Sequence, residues 1–339
     1  MDRFELWKSG ALRGANAFPR HTVEDLSALR SWGANLVTFG VKSVLELGEP
    51  FPLAADAFAD IDSALDRARQ AGLFAVINFR SIPGRKEFDH DLDHFRDFKY
   101  HDAFVRLWGE TARHLRDRQI AGYDLMCEPH PEDVFEGNDR LPAVFPKKAK
   151  GTPADWNLLV RRTVEAIREE DADTPIIVNS TGWAYAHTFD YLDLVADSRT
   201  VYSVHFYAPH YYTHQKPGDN RAYPGFVDPA EPGPPWDKRV VEEKLSPVRR
   251  YQQQHHVPIF SGEYGCARYA PGALQWFRDQ MDLYDQWGWS SAYWDLRGWE
   301  VMDIEMTADP NDKQRYPDTP LLGVFKSYFA KDRVFPSSP

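Results

Sequence analysis

Short apolar runs alternate with longer amphipathic segments along the whole chain. Residues 74–79 and 257–262 are apolar at nearly every position rather than at every second one, which is typical of strands that are covered on both faces. On this basis we interpret eight runs as strands: residues 11–18, 35–39, 73–79, 121–127, 175–179, 200–207, 257–263 and 289–294.

The segments between these runs have the spacing of amphipathic helices. Thr22 and Asp25 form a capping-box pattern at the start of the first of them, and Asp155 can complement the dipole at the start of the fourth. The predicted helices are residues 22–32, 57–71, 103–118, 154–171, 237–254, 272–286 and 321–329, and the fifth connection has room only for a short helix at about 191–196.

Eight strands that alternate with helices predict an α/β fold with a parallel sheet. At 339 residues the chain matches a single closed (β/α)8 TIM barrel, and we expect one domain over residues 1–339. A glycine-rich dinucleotide fingerprint is absent after the first strand, which weakens the open, doubly wound alternative.

Two connections are long and polar, residues 130–153 after the fourth strand and residues 208–235 after the sixth. Both follow the carboxyl ends of strands, which is the face where barrel enzymes hold their active sites. Because long loops in compact domains are usually functional or disordered, we expect these two loops to border a site.

Composition narrows the possible partners. The net charge is −11 and the basic residues are dispersed, so we expect no nucleic-acid partner. No apolar stretch is long enough for a membrane span, and the first residues lack a signal-peptide pattern, so we expect a cytoplasmic protein unless a secretion signal was trimmed. With only Cys127 and Cys266, a disulfide framework is not implied.

Two glutamates stand at the ends of predicted strands. Glu128 follows the fourth strand in the segment Tyr-Asp-Leu-Met-Cys-Glu-Pro, and Glu263 ends the seventh in Pro-Ile-Phe-Ser-Gly-Glu. Either residue alone is more often an ordinary loop or helix-start carboxylate. As a pair, they can meet across the mouth of a barrel, where retaining glycosidases hold two carboxyl groups about 5–5.5 Å apart.

Five motifs in order along the chain resemble glycoside hydrolase family 5, the cellulase-like branch of the retaining β-glycosidases. They are Leu-Arg-Gly-Ala-Asn at residues 12–16, Gly-Tyr-Asp-Leu-Met-Cys-Glu-Pro at 122–129, His-Phe-Tyr at 205–207, Ser-Gly-Glu-Tyr-Gly at 261–265 and Tyr-Trp at 293–294. The resemblance implies a retaining β-glycoside hydrolase that cleaves β-linked glucan- or mannan-type oligosaccharides or glycosides by double displacement, with a carbohydrate as its partner and no cofactor.

The same resemblance implies roles for individual residues. Glu128 would be the acid/base, and Glu263 would be the nucleophile. Tyr207 would donate a hydrogen bond to Glu263, His205 would line the same subsite, and Trp294 would lie under the sugar in the −1 subsite. Asn16, on the first strand, is a further candidate for substrate binding.

The chain departs from the family pattern at three places. Cys127 stands where the family has an asparagine that contacts the sugar 2-hydroxyl, and a thiol is a weak substitute for an amide. The usual arginine at the end of the second strand is missing from Thr38-Phe39-Gly40, and Phe79-Arg80-Ser81 stands where the family commonly has a histidine at the end of the third strand. We therefore hypothesise that Arg80 points into the −1 region and takes over part of the lost polar recognition.

Two other readings stay open at this point. A metal-dependent barrel hydrolase could use His205, His210 and His214, although the last two lie in a segment that reads as loop rather than as a zinc-binding helix. We therefore expect no metal site. A barrel that only binds carbohydrate is the other alternative, and the presence of both glutamates favours catalysis over it.

Overall fold

The computed structural model describes residues 2–86, 92–118, 120–230, 233–331 and 334–336. Within these ranges the parallel strands follow one another around a closed barrel in chain order, and β8 pairs with β1 to complete the ring. The (β/α)8 barrel predicted from the sequence is thus confirmed. The strands are β1 Arg13–Ala17, β2 Leu36–Lys42, β3 Phe74–Ser81, β4 Gly122–Asp124, β5 Ile176–Asn179, β6 Thr200–Phe206, β7 Ile259–Tyr264 and β8 Ser290–Tyr293.

Helices cover the outside of the barrel and the connections at its ends. The α-helices are α1 Arg3–Lys8, α2 Val23–Ser31, α3 Ala59–Ala71, α4 Phe98–Leu115, α5 Phe145–Ala149, α6 Trp156–Glu170, α7 Thr181–Ala184, α8 His210–Thr213, α9 Lys238–His255, α10 Ala273–Trp287 and α11 Pro320–Phe329. Short 3-10 helices span Asp93–Phe95, Pro131–Val134, Gly137–Arg140 and Ala186–Tyr191.

Side-chain caps explain where several helices begin. Thr22 and Asp25 form the predicted capping box of α2, in which the Thr22 hydroxyl accepts from the Asp25 N–H and the Asp25 carboxylate accepts from the Thr22 N–H. Asp155 caps α6 by accepting from the N–H of Leu158. Asp97 caps α4 in the same way, so this helix begins five residues before the predicted start.

The short helix predicted at residues 191–196 is wrong in position. The helical turns of this connection lie earlier, in α7 and in the 3-10 helix Ala186–Tyr191. At Leu192 the backbone is extended, and beyond it the N–H of Asp193 donates to the Asn157 side chain and the N–H of Val195 donates to the Tyr202 hydroxyl. Side chains thus take the bonds that a helix would have made.

The amino-terminal helix α1 closes one end of the barrel, a feature that the sequence did not reveal. Trp7 is fully buried, packs edge-to-face on Phe260 at 5.0 Å and donates from its indole to the carbonyl of Ala121. Above it lies an apolar layer to which each strand or its entry contributes one residue: Leu12, Leu36, Val76, Ala121, Ile177, Val201, Phe260 and Ala292. Glu128 and Glu263 lie at or beyond the carboxyl ends of their strands, at the opposite end of the barrel.

Long connections follow β4 and β6, as predicted, and a third follows β8. This third segment, residues 294–319, is tied to the exit of β7 by Arg268. The buried guanidinium of Arg268 donates to backbone carbonyls of Glu300, Thr307, Asp309 and Asp312. Among the described residues, no helix combines the length and apolarity needed to cross a bilayer.

Candidate active site

Glu263 lies inside β7 at the carboxyl-terminal end of the barrel and is almost fully buried. Its Oε1 accepts a hydrogen bond from the guanidinium Nη2 of Arg80, and the Cys127 thiol lies 3.5 Å from the same oxygen. Its Oε2 accepts from the Tyr207 hydroxyl at 2.8 Å, the contact that the sequence analysis expected. Both carboxylate oxygens therefore have donors that are fixed by other strands or their ends.

These neighbours decide the charge of Glu263. Burial alone would raise its pKa, but the guanidinium of Arg80, the ring of His205 and the hydroxyl of Tyr207 together lower the pKa below the usual value of 4.5. Burial and the nearby carboxylates Glu263 and Glu128 in turn raise the pKa of the Tyr207 phenol far above its usual range. Tyr207 is thus a neutral donor that faces an ionised carboxylate.

Glu128 occupies a different setting. The β4 ladder ends at Asp124, and Glu128 follows with a left-handed backbone, φ 51°. Non-glycine residues rarely adopt this conformation unless their surroundings hold them there. Its carbonyl accepts from Arg85 at 3.2 Å and lies 2.8 Å from Nδ1 of His130, while its side chain keeps 24% of its surface exposed.

His205 on β6 joins the two glutamates. Its Nδ1 lies 2.9 Å from Oε1 of Glu128 and 3.6 Å from Oε2 of Glu263. These distances to a shared nitrogen place the two oxygens at most about 6.5 Å apart, a bound that includes the separation typical of retaining glycosidases. Burial disfavours a charge on His205, but Glu263 and Glu128 outweigh burial and raise its pKa.

Arg80 reaches Glu263 from the end of β3, across the face of β2. A Cβ at Gly40 of β2 would lie 2.6 Å from the Arg80 Nε and 2.8 Å from its Cδ, so the glycine leaves the space that the side chain occupies. Past Gly40, the guanidinium lies 4.3 Å above the ring of Trp294. One side of that ring thus faces a cation. A sugar that stacks on Trp294, as expected from the sequence, would have to use the surface of the ring that Arg80 leaves open.

The chain was also compared with known protein families. The family model described as "Cellulase (glycosyl hydrolase family 5)" matches residues 8–299. The chain belongs to this family. It is a glycosidase that acts on β-linked glycosides.

Relatives and solved structures of glycosyl hydrolase family 5 resemble the chain over most of its length. Endoglucanase C of Acetivibrio thermocellus is 23% identical over 279 residues, covering 74% of this chain and 75% of its own. Cellodextrinase A of Ruminococcus flavefaciens is 23% identical over 288 residues, covering 81% and 78%. The structure of the endoglucanase Cel5A of Thermotoga maritima superposes with a TM-score of 0.69 at 20% identity, covering 90% and 94%, which supports the shared fold.

Asn16 and Cys127 both lie close to Glu263 in this family 5 glycosidase, through contacts that the sequence analysis did not predict. The Asn16 amide donates to the Gly262 carbonyl at 2.8 Å, and so contacts the residue before Glu263. Burial raises the pKa of the Cys127 thiol well above its usual value, with Glu263 and Glu128 adding to the rise against Arg80. Cys127 is therefore a neutral thiol beside the carboxylates.

Two buried aspartates near the site were missed in the sequence analysis. Asp124, on β4, accepts from the Asn179 amide at 2.6 Å, and burial raises its pKa to about 7. Asp295 follows Trp294 and accepts from the Trp299 N–H at 2.9 Å, and burial raises its pKa to about 6. Asp124 ends its strand in the same manner as the predicted residues, so its position could have identified it.

The histidines singled out for a possible metal site do not converge. His210 and His214 stack on one another, with ring centroids 3.9 Å apart, on the short helix α8 and its end. The helix corrects the reading of this segment as loop. In the part of the chain that the structure describes, atoms of Cys127, Glu128 and His205 that could bind a metal ion lie within 4.8 Å of one another. Two of these residues already contact each other, since His205 Nδ1 lies within hydrogen-bond distance of the Glu128 carboxylate.

Proposed function

We propose that this glycosidase works with retention of anomeric configuration, with Glu263 as the nucleophile and Glu128 as the acid/base. The observation that carries the proposal is the unequal environment of two neighbouring carboxylates. Glu263 is buried and ionised between Arg80 and Tyr207, whereas Glu128 is partly exposed and contacts His205. A retaining mechanism needs this division between an ionised nucleophile and a proton donor.

In the first step a carboxylate oxygen of Glu263 forms a bond to the anomeric carbon as the bond to the leaving oxygen breaks. Glu128 gives its proton to that oxygen, so the leaving group departs as a neutral alcohol. In the second step Glu128 takes a proton from water. The water oxygen then bonds to the anomeric carbon, and Glu263 leaves as a carboxylate.

Arg80, Tyr207 and Asn16 act on the nucleophile in this proposal. Arg80 and Tyr207 hold one oxygen each and keep the carboxylate charged before attack. Asn16 fixes the backbone at Gly262. The sequence-based hypothesis gave Arg80 a role in sugar recognition. Its contact with Glu263 favours a role in positioning the nucleophile instead.

Trp294 and His205 complete the −1 subsite in this proposal. Trp294 is partly exposed, and its ring packs edge-to-face against Phe18 at 5.8 Å as well as against Arg80. We infer that its remaining surface faces the sugar. His205, whose Nδ1 lies close to both carboxylates, would help to balance their negative charge in both steps.

β-Linked glucan- or mannan-type oligosaccharides are the proposed substrates. The relatives carry the names endoglucanase and cellodextrinase, and a further one, 24% identical over 343 residues, is named beta-xylosidase. Thermotoga maritima Cel5A has been solved in complex with cellobiose and with mannotriose as substrates. A screen of aryl β-glucosides, β-mannosides and β-xylosides would identify the sugar of the −1 subsite.

Azide rescue tests the assignment of the two glutamates. In Glu263→Ala, azide should restore turnover of a dinitrophenyl β-glycoside and give the α-glycosyl azide, because azide replaces the missing nucleophile. In Glu128→Ala it should give the β-glycosyl azide, because azide attacks the glycosyl-enzyme in place of water. Exchanged products would exchange the roles, and an α-anomer as the first product of the wild-type enzyme would indicate inversion.

A further inference from the structure

Cys127 brings a soft ligand next to the proposed acid/base. Successive side chains of a strand point to opposite faces, but the β4 ladder ends at Asp124 and Glu128 has a left-handed backbone, φ 51°. The neighbouring side chains of Cys127 and Glu128 can therefore face the same side, and both converge on His205 of β6. The residue that departs from the family pattern thus joins a carboxylate and an imidazole.

The spacing of these three side chains suits a small metal ion. The Cys127 Sγ, a carboxylate oxygen of Glu128 and a ring nitrogen of His205 lie within 4.8 Å of one another, and His205 Nδ1 lies 2.9 Å from Glu128 Oε1. A tetrahedral zinc ion at about 2.0–2.3 Å from its ligands keeps them roughly 3.3–3.8 Å apart. Small movements of the side chains would bring the three atoms to that spacing.

The charges around the thiol allow a cation to bind. Arg80 and Arg85 both lie close enough to act on Cys127 electrostatically. Arg80 pairs with Glu263, and Arg85 donates to the carbonyl of Glu128. The carboxylates of Glu263 and Glu128 act on the thiol in the opposite sense. Two carboxylates therefore balance the two guanidinium groups.

Binding would exchange two protons for the ion. The Cys127 thiol loses its proton to solvent, and the proton between His205 Nδ1 and the Glu128 carboxylate leaves as well, because both atoms become ligands. Two positive charges leave and a divalent ion brings two, so the total charge of the cluster does not change. The Glu128 side chain is 24% exposed, which gives the ion a path from solvent and leaves a fourth coordination position for water.

We propose that Cys127, Glu128 and His205 bind Zn²⁺ or a similarly soft divalent ion, and that the bound ion inhibits the glycosidase. Thiolate and imidazole ligands favour such ions over Mg²⁺ and Ca²⁺, which prefer oxygen. The ion is an inhibitor rather than a cofactor, because coordination occupies the carboxylate that has to give and take a proton. Metal binding is independent of the proposed function, whereas the loss of activity rests on it through Glu128.

Titration of chelator-treated enzyme with Cd²⁺ tests binding directly. Cd²⁺ on a thiolate gives an ultraviolet charge-transfer band, and the wild-type band should saturate at one ion per chain. Cys127→Ser should abolish the band. Glu128→Gln and His205→Gln should each weaken binding at least about tenfold, because each removes a ligand. Cys266→Ser is the matched control, since Cys266 is the other buried cysteine outside a disulfide, and it should keep the band.

Inhibition by Zn²⁺ measures the consequence for catalysis. With the aryl β-glycoside that the enzyme hydrolyses best, the half-inhibitory Zn²⁺ concentration should rise at least about tenfold in Cys127→Ser, with each variant compared with its own rate without metal. Mg²⁺ at the same concentration should not inhibit, and a chelator should restore the rate. An unchanged half-inhibitory concentration in Cys127→Ser, or an equal change in Cys266→Ser, would overturn inhibition at this site.

The two measurements separate this inference from the proposed function. If the metal-free enzyme turned over no β-glycoside, the proposed function would fail, and the Cd²⁺ titration would still decide the metal site. A wild-type enzyme without the band, or an equal band in Cys127→Ser, would overturn the site. If Cys127→Ser failed to fold, as shown by its thermal unfolding midpoint, unchanged Cd²⁺ affinity in Glu128→Gln, which keeps the thiol, would do the same. A band that requires Cys127 but leaves the rate unchanged would contradict the inhibition.

Discussion

Glu263 and Glu128 differ in how the fold holds them. Glu263 is part of a strand, and donors from other strands or their ends contact both of its oxygens. Glu128 lies past the end of a strand in a left-handed conformation; Arg85 and His130 contact its carbonyl, and its partly exposed carboxylate contacts His205 through Oε1. The chain thus buries one carboxylate among donors to both oxygens and leaves the other partly open on a fixed backbone.

This difference fits the demands that double displacement makes. A nucleophile attacks one carbon along one direction, so a buried and ionised carboxylate with fixed oxygens is an advantage. An acid/base first gives a proton to a leaving group and later takes one from water. A partly exposed side chain on a fixed backbone can serve both. The following predictions test this contrast in order of decreasing effect.

The largest effect should separate the two glutamates by leaving group. Glu263→Gln should lower kcat by about 10⁴-fold or more on cellobiose and on glucosyl fluoride, because both need the nucleophile. Glu128→Gln should lower kcat/KM, which reports the first step, by about 10³-fold on cellobiose but far less on the fluoride, which departs without a proton. Its kcat should fall on both substrates, because the second step needs Glu128 as the base. Equal losses of kcat/KM on both substrates would remove its role as proton donor.

Removal of Arg80 should affect rate, pH dependence and stability together. Arg80→Met should lower kcat by about 10²-fold. It should also move the acidic limb of kcat/KM to higher pH, because the guanidinium helps to lower the pKa of Glu263. That lowered pKa contributes stability above the usual value near 4.5, which is lost as the pH falls through the folded-state pKa.

The stability change in Arg80→Met has its own control. A buried carboxylate without this partner should lower the free energy of unfolding by about 3 kcal/mol at neutral pH, measured by urea denaturation. In the double variant with Glu263→Gln the loss should be smaller than in Arg80→Met alone, because the buried charge is gone. Additive losses would show that Arg80 and Glu263 are not coupled.

Tyr207→Phe should have an intermediate effect. The phenol donates to a charged oxygen at 2.8 Å, and such bonds contribute about 1.5–3 kcal/mol. We expect kcat/KM to fall about 10- to 100-fold, with a shift of the acidic limb in the same direction as in Arg80→Met. A variant with an unchanged pH profile would contradict the assigned contact.

The smallest effect should come from Gly40→Ala. The added methyl group would displace Arg80 from its path above β2, and we expect kcat/KM to fall several-fold in the direction of the Arg80→Met phenotype. Gly48→Ala is the control, because a Cβ there meets no atom within 4 Å. Equal activities of the two variants would show that the path of Arg80 tolerates the methyl group.

The sequence was informative where a pattern repeats along the chain. Strand periodicity led to the barrel, and positions at strand ends pointed to Glu128 and Glu263, because consecutive parallel strands bring their carboxyl ends to one face. Tyr207, His205 and the contact between Tyr207 and Glu263 came from the family resemblance. The roles of these residues in catalysis remain predictions that the experiments above address.

Features that depend on tertiary contact could not be obtained in the same way. The path of Arg80 above β2 depends on the space at Gly40, although a glycine inside a strand is a known signal of close approach. The left-handed backbone of Glu128 is contacted by the side chain of Arg85, which comes from a distant segment of the chain. Helix α1 is too short for its periodicity to stand out, and its burial depends on the barrel it closes.

Arg268 gives the segment after β8 a charged centre around which its backbone is arranged. The carbonyls of Glu300, Thr307, Asp309 and Asp312 point at one guanidinium, much as such oxygens gather around a bound cation. This cation is a side chain from the exit of β7, so it is covalently part of the protein and cannot be removed by a chelator. The last connection of the barrel is thus arranged around a charge that the chain itself supplies.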